Sequence, residues 1–262
     1  MSRNGDAKNR VRDFWNKRAA LGRFAGTRDL IAKQLEIEAI SNYVHDGMNI
    51  LEVGCGNGIT AIEIARQYEV QILGLDFAGE MVAAAKSLAS DQVLRGRVEF
   101  RVGDFESMSD VPDRFDLIYT ERVLINLPHW SNQERTIVCI LALLAEGGLY
   151  VMCENSQDGL ERLNGLRRRV DLPEIKPPWH NRYLRETELS EIEVEGVSLE
   201  ARLDYSSTYY FLSRVINASW AAHENREPDY ESPINQLALR LPSIGEYGQG
   251  KIWLWRKKTP GV

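Results

Sequence analysis

Residues 49–60 read NILEVGCGNGIT. An apolar run interrupted by Glu52 meets three glycines at alternating positions, Gly54, Gly56 and Gly58. The chain then enters GITAIEIARQY, where apolar residues recur at helical spacing. Strand, glycine turn and helix in that order predict a backbone that turns sharply and passes close to a bound molecule. The N–H donors of the turn and of the helix start are expected to face that molecule.

Outward from this stretch, apolar runs and helical patterns alternate. Strands are predicted at NILEV, QILGL, VEFRV, FDLIY and GLYVMC. Helices are predicted between them at GITAIEIARQY, GEMVAAAKSLAS and NQERTIVCILALLA, with little helix after VEFRV. Parallel strands cannot be joined by tight hairpins, so this alternation implies a parallel sheet with helical crossovers. The nearly continuous apolar character of the strands implies burial on both faces. Residues 1–45 read as helical, most clearly DLIAKQLEIEAISNYV.

Beyond about residue 155 the pattern changes. A helix is predicted at DGLERLNGLRRRV, followed by the proline-rich DLPEIKPPWHNRYL, a strand at VSLEARLDY, the aromatic YYFLSRVINASW and a terminal strand at KIWLWRKK. The segment between the last two strands exceeds an ordinary connection and is expected to lie over the active face. Four units follow: an N-terminal helical cover, 1–45; a core, 46–204; a cap insertion, 205–249; and a terminal core strand, 250–262.

Composition narrows the function. The 262 residues carry a net charge of −6 with a pI near 5.4, whereas a protein gripping nucleic acid concentrates positive charge. The basic clusters LRRRV and WRKKT are short and read as a solvated helix face and a strand end, so nucleic acid is disfavoured as a partner. No apolar run is long enough to span a bilayer, and MSRNGDAKNR lacks the apolar middle of a secretion signal, so a cytoplasmic protein is expected. Cys55, Cys139 and Cys153 have neither metal-ligand nor redox-pair spacing.

Two cofactor classes compete for the glycine turn. Dinucleotide folds use G-x-G-x-x-G with a pyrophosphate on the helix N-terminus. Here the third glycine comes one residue early, and Glu52 would repel a pyrophosphate while suiting an ammonium and a sulfonium. The stretch resembles the E-x-G-x-G-x-G signature of class I S-adenosylmethionine-dependent methyltransferases. The resemblance continues through ILGLDF, FRVGDFES, FDLIYTERVLINLP and LALLAEGGLYVM. It implies a Rossmann-like α/β fold, with a mostly parallel seven-stranded sheet ending in an antiparallel strand, helices on both faces and helical caps at each end.

The resemblance also implies roles. Glu52, Gly54, Cys55 and Gly56 would line the cofactor. Asp76 would hold the ribose hydroxyls, Phe77 and Met81 would pack by the adenine, Asp104 would read its amino group and Phe105 would flank the ring. Glu121, just after the fourth strand, joins this cofactor set. Trp15, Arg18, Arg23 and Arg28 fall in a segment that often folds over the cofactor, where one arginine would pair with its carboxylate.

Methyl transfer needs the acceptor aligned, and a hydroxyl acceptor also benefits from a base. His180, flanked by Trp179, Arg182 and Tyr183, is the preferred base among His45, His129, His180 and His223, and Glu154 is a second catalytic candidate. Glu121, Glu154 and Asn155 resemble the magnesium trio of catechol-type members, although Thr120 occupies one expected ligand position. Asn126, where many members have a histidine pair, cannot act as a base. ERVLINLP, PPWHNRYL and the C-terminal segment resemble methyltransferases associated with bacterial surface-polysaccharide biosynthesis, which implies a sugar, nucleotide sugar or glycan end as acceptor. Trp179, Tyr183, Tyr205, Tyr209, Tyr210 and Trp220 offer aromatic faces suited to stacking on sugar rings. The other reading of YYFLSRVINASW, a helix packed against the sheet, is preferred for Phe211 and Trp220, and both readings stay open for Tyr209 and Tyr210. An amine or carboxyl acceptor, or a non-catalytic cofactor-binding scaffold, are the alternatives.

Overall fold

The computed structural model describes residues 3–104, 108, 111 and 114–259. Helix α1 (Arg3–Ala19) and α2 (Leu30–Ser41) precede β1 (Asn49–Val53). Then follow α3 (Ile59–Gln67), β2 (Gln71–Asp76), α4 (Gly79–Ser90), β3 (Arg97–Val102), β4 (Phe115–Glu121), α5 (Trp130–Ala142) and β5 (Leu144–Asn155). The C-terminal part adds α6 (Gln157–Arg169), α7 (Glu186–Ser190), β6 (Val197–Leu203), α8 (Ser207–Phe211), α9 (Ala218–His223), α10 (Pro233–Gln236) and β7 (Gly250–Lys257).

The strands form one sheet in the order β3-β2-β1-β4-β5-β7-β6. β1 to β5 run parallel, and β7 is antiparallel to both β5 and β6. Strand order reverses between β1 and β4, and in such sheets the crevice beyond the carboxyl ends of the strands at the reversal is the ligand site. Each face carries its own apolar cluster, one around Ile118, Leu141 and Trp253, the other around Ile50, Ile64 and Phe100. β7 is anchored by Trp253 and Trp255, both essentially inaccessible. Each indole buries on the order of 200 Å², about 5 kcal/mol of transfer free energy before entropy.

Three local expectations are corrected. The helix expected to reach residue 145 ends at Ala142, and β5 already begins at Leu144. Gly147 there has φ +77°, and the β4–β5 register shifts between Phe115 and Leu117, so the strand absorbs an irregularity that looked helical in sequence. Within LRRRV, Arg167 is buried rather than solvated, and its guanidinium donates to the carbonyls of Pro173 (2.8 Å) and Arg214. Trp220 is 64% exposed, with its indole N–H on Glu224 at 2.7 Å, so it does not pack against the sheet.

The segment between β6 and β7 folds as α8, a π-helical turn at Leu212–Asn217, α9 and α10. Tyr209 and Tyr210 are its buried aromatics, packed with Ile31 of α2 and Leu163 of α6. Asp29 caps α2 by accepting from the Ala32 N–H at 3.0 Å. The same carboxylate accepts from the Tyr209 hydroxyl at 2.5 Å and pairs with Arg214. The C-terminal segment thereby fixes the start of α2, the helix that carries Lys33 and Glu36.

Candidate functional site

At the strand-order reversal lies a cavity of ≈ 650 Å³, counting its open mouth. The glycine turn, the ends of β1, β2 and β4, α1 and α2 all contribute to its wall. Gly54 has φ +73°, and a Cβ there would stand 2.4 Å from Val123 Cγ2, so the turn requires glycine on both conformational and steric grounds. A Cβ on Gly56 would meet nothing within 4 Å, and that residue lines the open cavity.

The turn's amides, however, are committed elsewhere. The N–H groups of Gly54 and Cys55 both donate to the Leu75 carbonyl, at 2.7 and 2.8 Å. Gly56 N–H donates to Asp76 Oδ2 at 2.8 Å, and Gly58 N–H to the Cys55 carbonyl at 2.9 Å. The expected row of donors facing a ligand is therefore absent at these positions. An anion such as a pyrophosphate would find at this turn a buried carboxylate and amides already engaged.

Carboxylates take the place of those donors. Glu52, next to last in β1, is in register with Gly74 of β2 and Tyr119 of β4. It is 3% exposed and lines the cavity, and among the described residues neither its Oε2 nor the Tyr119 hydroxyl has a hydrogen-bond partner. Burial raises its pKa to about 8; the neighbouring Glu121 carboxylate adds to the rise, and Lys33 opposes it. Asp76 ends β2, accepts from Ala78 N–H at 2.8 Å as well as from Gly56, and is raised to about 6 by burial against those bonds. Each of its oxygens keeps a second lone pair. Cys55, Phe77 and Met81 complete this wall. Burial lifts the Cys55 thiol well above its ordinary range, which makes it a small apolar lining group.

The cationic side was not legible in sequence. Lys33 of α2 and Arg122, just past β4, line the cavity. Lys33 Nζ donates to Glu121 Oε1 at 2.5 Å and to Thr60 Oγ1 at 2.7 Å, while the Thr60 hydroxyl donates to Glu121 Oε2 at 2.5 Å. Arg122 lies 3.0 Å from the buried Glu36. Burial drives Glu36 well above the carboxylate range, whereas Glu121, despite equal burial, is held low by Lys33 and Arg122. Of the arginines expected over the cofactor, Arg18 donates to the Ala25 carbonyl at 2.6 Å and Arg23 stacks on Phe24, and neither lines the cavity. Asp104 also lies off this wall, 45% exposed and paired with Lys8 at 2.6 Å. Phe105 lies outside the described residues.

Glu154 is not open to either a ligand or a metal. It is 1% exposed, and its carboxylate accepts from the backbone N–H groups of Val123 (2.9 Å), Leu124 (3.1 Å) and Ile125 (3.4 Å). Burial raises it to about 7 against the lowering pull of those bonds. It holds the turn after β4 that carries Asn126. With Glu121 on Lys33 and Glu154 on backbone amides, the two acids do not converge as a cation site. Among the described residues no three His, Cys, Asp or Glu side chains do so.

A second cavity, of ≈ 870 Å³ with its open mouth, shares Phe77 and Asn126 with the first. His180 and Trp179 line it. The His180 ring lies in an aromatic box with Phe14 (4.5 Å between centroids), Trp179 (5.1 Å) and Trp15 (5.8 Å). Its Nδ1 is buried without a hydrogen-bond partner among the described residues. Desolvation, then the nearby Arg18, lower its pKa, so the imidazole is neutral at pH 7. His45, His129 and His223 are exposed and line neither cavity. No residue of 205–249 lines either cavity. No described helix is long and apolar enough to cross a membrane.

A family model described as a methyltransferase domain matches residues 44–177, just over half of the chain. Ajmaline N-methyltransferase of Rauvolfia serpentina is 32% identical over 104 residues, 40% of this chain and 35% of that protein. The mitochondrial ubiquinone biosynthesis O-methyltransferase of Rattus norvegicus is 27% identical over 190 residues, 69% of this chain and 54% of that one. The chain thus spans about half or less of the length of these curated relatives. Among solved structures, Haemonchus contortus phosphoethanolamine N-methyltransferase 1, in complex with phosphoethanolamine and S-adenosylhomocysteine, superposes on all of this chain and 51% of its own, with TM-score 0.64 and 14% identity. That likeness shows the fold, a seven-stranded methyltransferase sheet. The domain match, lying across the glycine turn and the carboxylates of the first cavity, shows that the chain belongs to the class I S-adenosylmethionine-dependent methyltransferases.

Proposed function

We propose that the protein transfers a methyl group from S-adenosylmethionine to a hydroxyl of a small polar molecule, with His180 as the base. The observation that carries this reading is that the two cavities adjoin at Phe77 and Asn126, which line both. An acid-lined pocket on one side adjoins a buried, unpartnered imidazole nitrogen on the other.

The residues of the first cavity fit the cofactor. Glu52 Oε2, buried and orphaned, would receive the ammonium, and Lys33 and Arg122 supply positive charge for the carboxylate. The spare lone pairs of Asp76 suit the ribose hydroxyls, with Phe77 and Met81 against the adenine. A sulfonium held there would supply an activated methyl group, the S–C electron pair remaining on sulfur when the O–C bond forms. The chain itself has three tasks. Asn126, held through Glu154, fixes the wall between donor and acceptor. The Phe14, Trp15 and Trp179 rings exclude water. The neutral imidazole of His180, on the wall of the second cavity, takes the acceptor's proton. Asp104 and Phe105 remain proposed adenine contacts, reached from outside the first cavity's wall.

Within this reading a sugar, nucleotide sugar or glycan end is the proposed acceptor class, supported by the exposed face of Trp179 and by the resemblance to polysaccharide-associated members. Residues 1–45 and 205–249 are proposed as the covering units of a core at 46–204 and 250–262. The test is calorimetry with S-adenosylhomocysteine followed by transfer of labelled methyl to sugar and phenolic acceptors. Binding with label transfer that collapses in His180→Ala is expected. A folded protein that yields no heat with the ligand would end the proposal. A rate flat across the histidine range would move the acceptor to an amine or carboxylate.

A further inference from the structure

The wall of the second cavity is electrostatically one-sided. Among the described residues its charged lining side chains are Lys8, Arg10 and Arg182, with no acid among them. Among the same residues, Asp104 and Glu188 are ion-paired with Lys8 (2.6 Å) and Arg182 respectively. Arg10 has no carboxylate partner among the described residues. Its guanidinium lies 4.5 Å from the centre of the Trp179 ring, and that ring meets His180 at 5.1 Å between centroids. A cation, an aromatic face and a neutral base therefore follow one another along the same wall. Arg18, with backbone carbonyls as hydrogen-bond partners, adds positive potential at His180.

Resting on the methyltransferase reading above, we infer that the acceptor is an anionic hydroxy compound, whose carboxylate or phosphate meets Arg10 while its ring or carbon skeleton lies on Trp179 and its hydroxyl reaches His180. A protonated amine would enter this cavity against several cations and find no open carboxylate there. A neutral polyol would leave the guanidinium without a counter-charge. An acidic acceptor matches the wall, and arginine favours oxyanions over other groups because its N–H donors form a planar fork. Transfer to such a molecule balances simply: the hydroxyl oxygen gains the methyl group, its proton passes to His180, and the anionic group is unchanged.

Matched probes test this by calorimetry on protein saturated with S-adenosylhomocysteine. 3,4-Dihydroxybenzoate is compared with 3,4-dihydroxybenzyl alcohol and dopamine, and glucuronate and glucose 1-phosphate with glucose and glucosamine. The acidic member of at least one set should bind ten times or more tighter than its neutral and cationic counterparts. Carboxylate and phosphate arms separate the two oxyanion sources. Arg10→Gln, a change on an exposed helix position, should cut that preference at least fivefold, and Arg10→Glu should abolish it. Affinity for S-adenosylhomocysteine should stay within twofold in both. Equal or tighter binding of the neutral or cationic probes, no binding by any acidic probe at millimolar concentration, or an acid preference untouched in Arg10→Glu would each overturn the inference. If S-adenosylhomocysteine itself gives no heat with the folded wild type, the methyltransferase reading has failed. Heat without an acid preference removes only the anionic acceptor.

Discussion

The indole N–H of Trp15 donates to the side-chain oxygen of Asn126 at 3.1 Å, across 111 residues of chain. Trp15 belongs to α1 and lines the first cavity, whereas Asn126 stands in the wall shared by both. Asn126 in turn donates to the carbonyls of Arg122 (2.9 Å) and Val123 (3.2 Å), so a single amide joins the N-terminal helix to the turn beyond β4.

Losing that bond should loosen α1 over the donor cavity. Trp15→Phe keeps an aromatic ring but removes the indole N–H and part of the ring system, and the hydrogen bond alone is worth about 1 kcal/mol. The dissociation constant for S-adenosylhomocysteine should rise roughly fivefold. Calorimetry checks this, and an unchanged constant would show that the bond does not hold the pocket closed.

If Glu52 receives the cofactor's ammonium as proposed, binding should depend on pH. With a pKa of about 8 it is mostly protonated at pH 7, and an arriving ammonium favours its ionised form. Binding should therefore release close to one proton at pH 7, and affinity should climb as pH rises from 6 to 8. Titrations in buffers of different ionisation enthalpy measure the release, and Glu52→Gln should flatten the climb. Stability of the free protein has the opposite trend. Because this group's pKa is raised on folding, its contribution is full below the unfolded value and is lost as pH rises through about 8. Glu52→Gln should accordingly raise the Tm of the ligand-free protein more at pH 9 than at pH 6.

Lys33→Met would leave Glu121 and Glu36 with Arg122 as their remaining close cation. Removing one partner from a buried charge cluster costs about 3–5 kcal/mol, because the other charge stays desolvated and uncompensated. Urea unfolding should register that loss. Adding Glu121→Gln should restore part of it, since the surplus negative charge goes too.

Glu154 and His180 should separate cleanly. Glu154→Ala orphans backbone N–H groups of Val123, Leu124 and Ile125, each worth about 1–3 kcal/mol when buried and unpaired. The Tm should fall, while any surviving transfer keeps the wild-type pH profile. His180→Gln should leave the Tm nearly unchanged and remove the acid limb of the rate profile, a limb shifted to lower pH than an ordinary histidine's because burial and Arg18 disfavour the imidazolium. Activity that fails together with stability in both variants would count against His180 as the base.

Much of this molecule was legible in one dimension because it depends on neighbours along the chain. Hydrophobic period set the strands and helices of the α/β core. The glycines at 54, 56 and 58 and the acids near the ends of β1 and β2 fall at fixed distances from strand ends, so local spacing alone brings them to one edge of the sheet. What sequence could not convey depends on residues far apart in the chain. Glu154 looked like a catalytic acid until three amides from the neighbouring strand's turn closed around it. Lys33, unremarkable in a row of letters, stands on α2, whose N-cap Asp29 is held by Tyr209 and Arg214 from the C-terminal segment, and Arg122 joins it on the cavity wall from the turn just past β4. The turn's N–H groups, expected to meet a ligand, are consumed by Leu75 and Asp76 of the adjacent strand. A hydrogen bond or a buried charge is decided by which atoms are within about 3 Å, and only the packed sheet determines that.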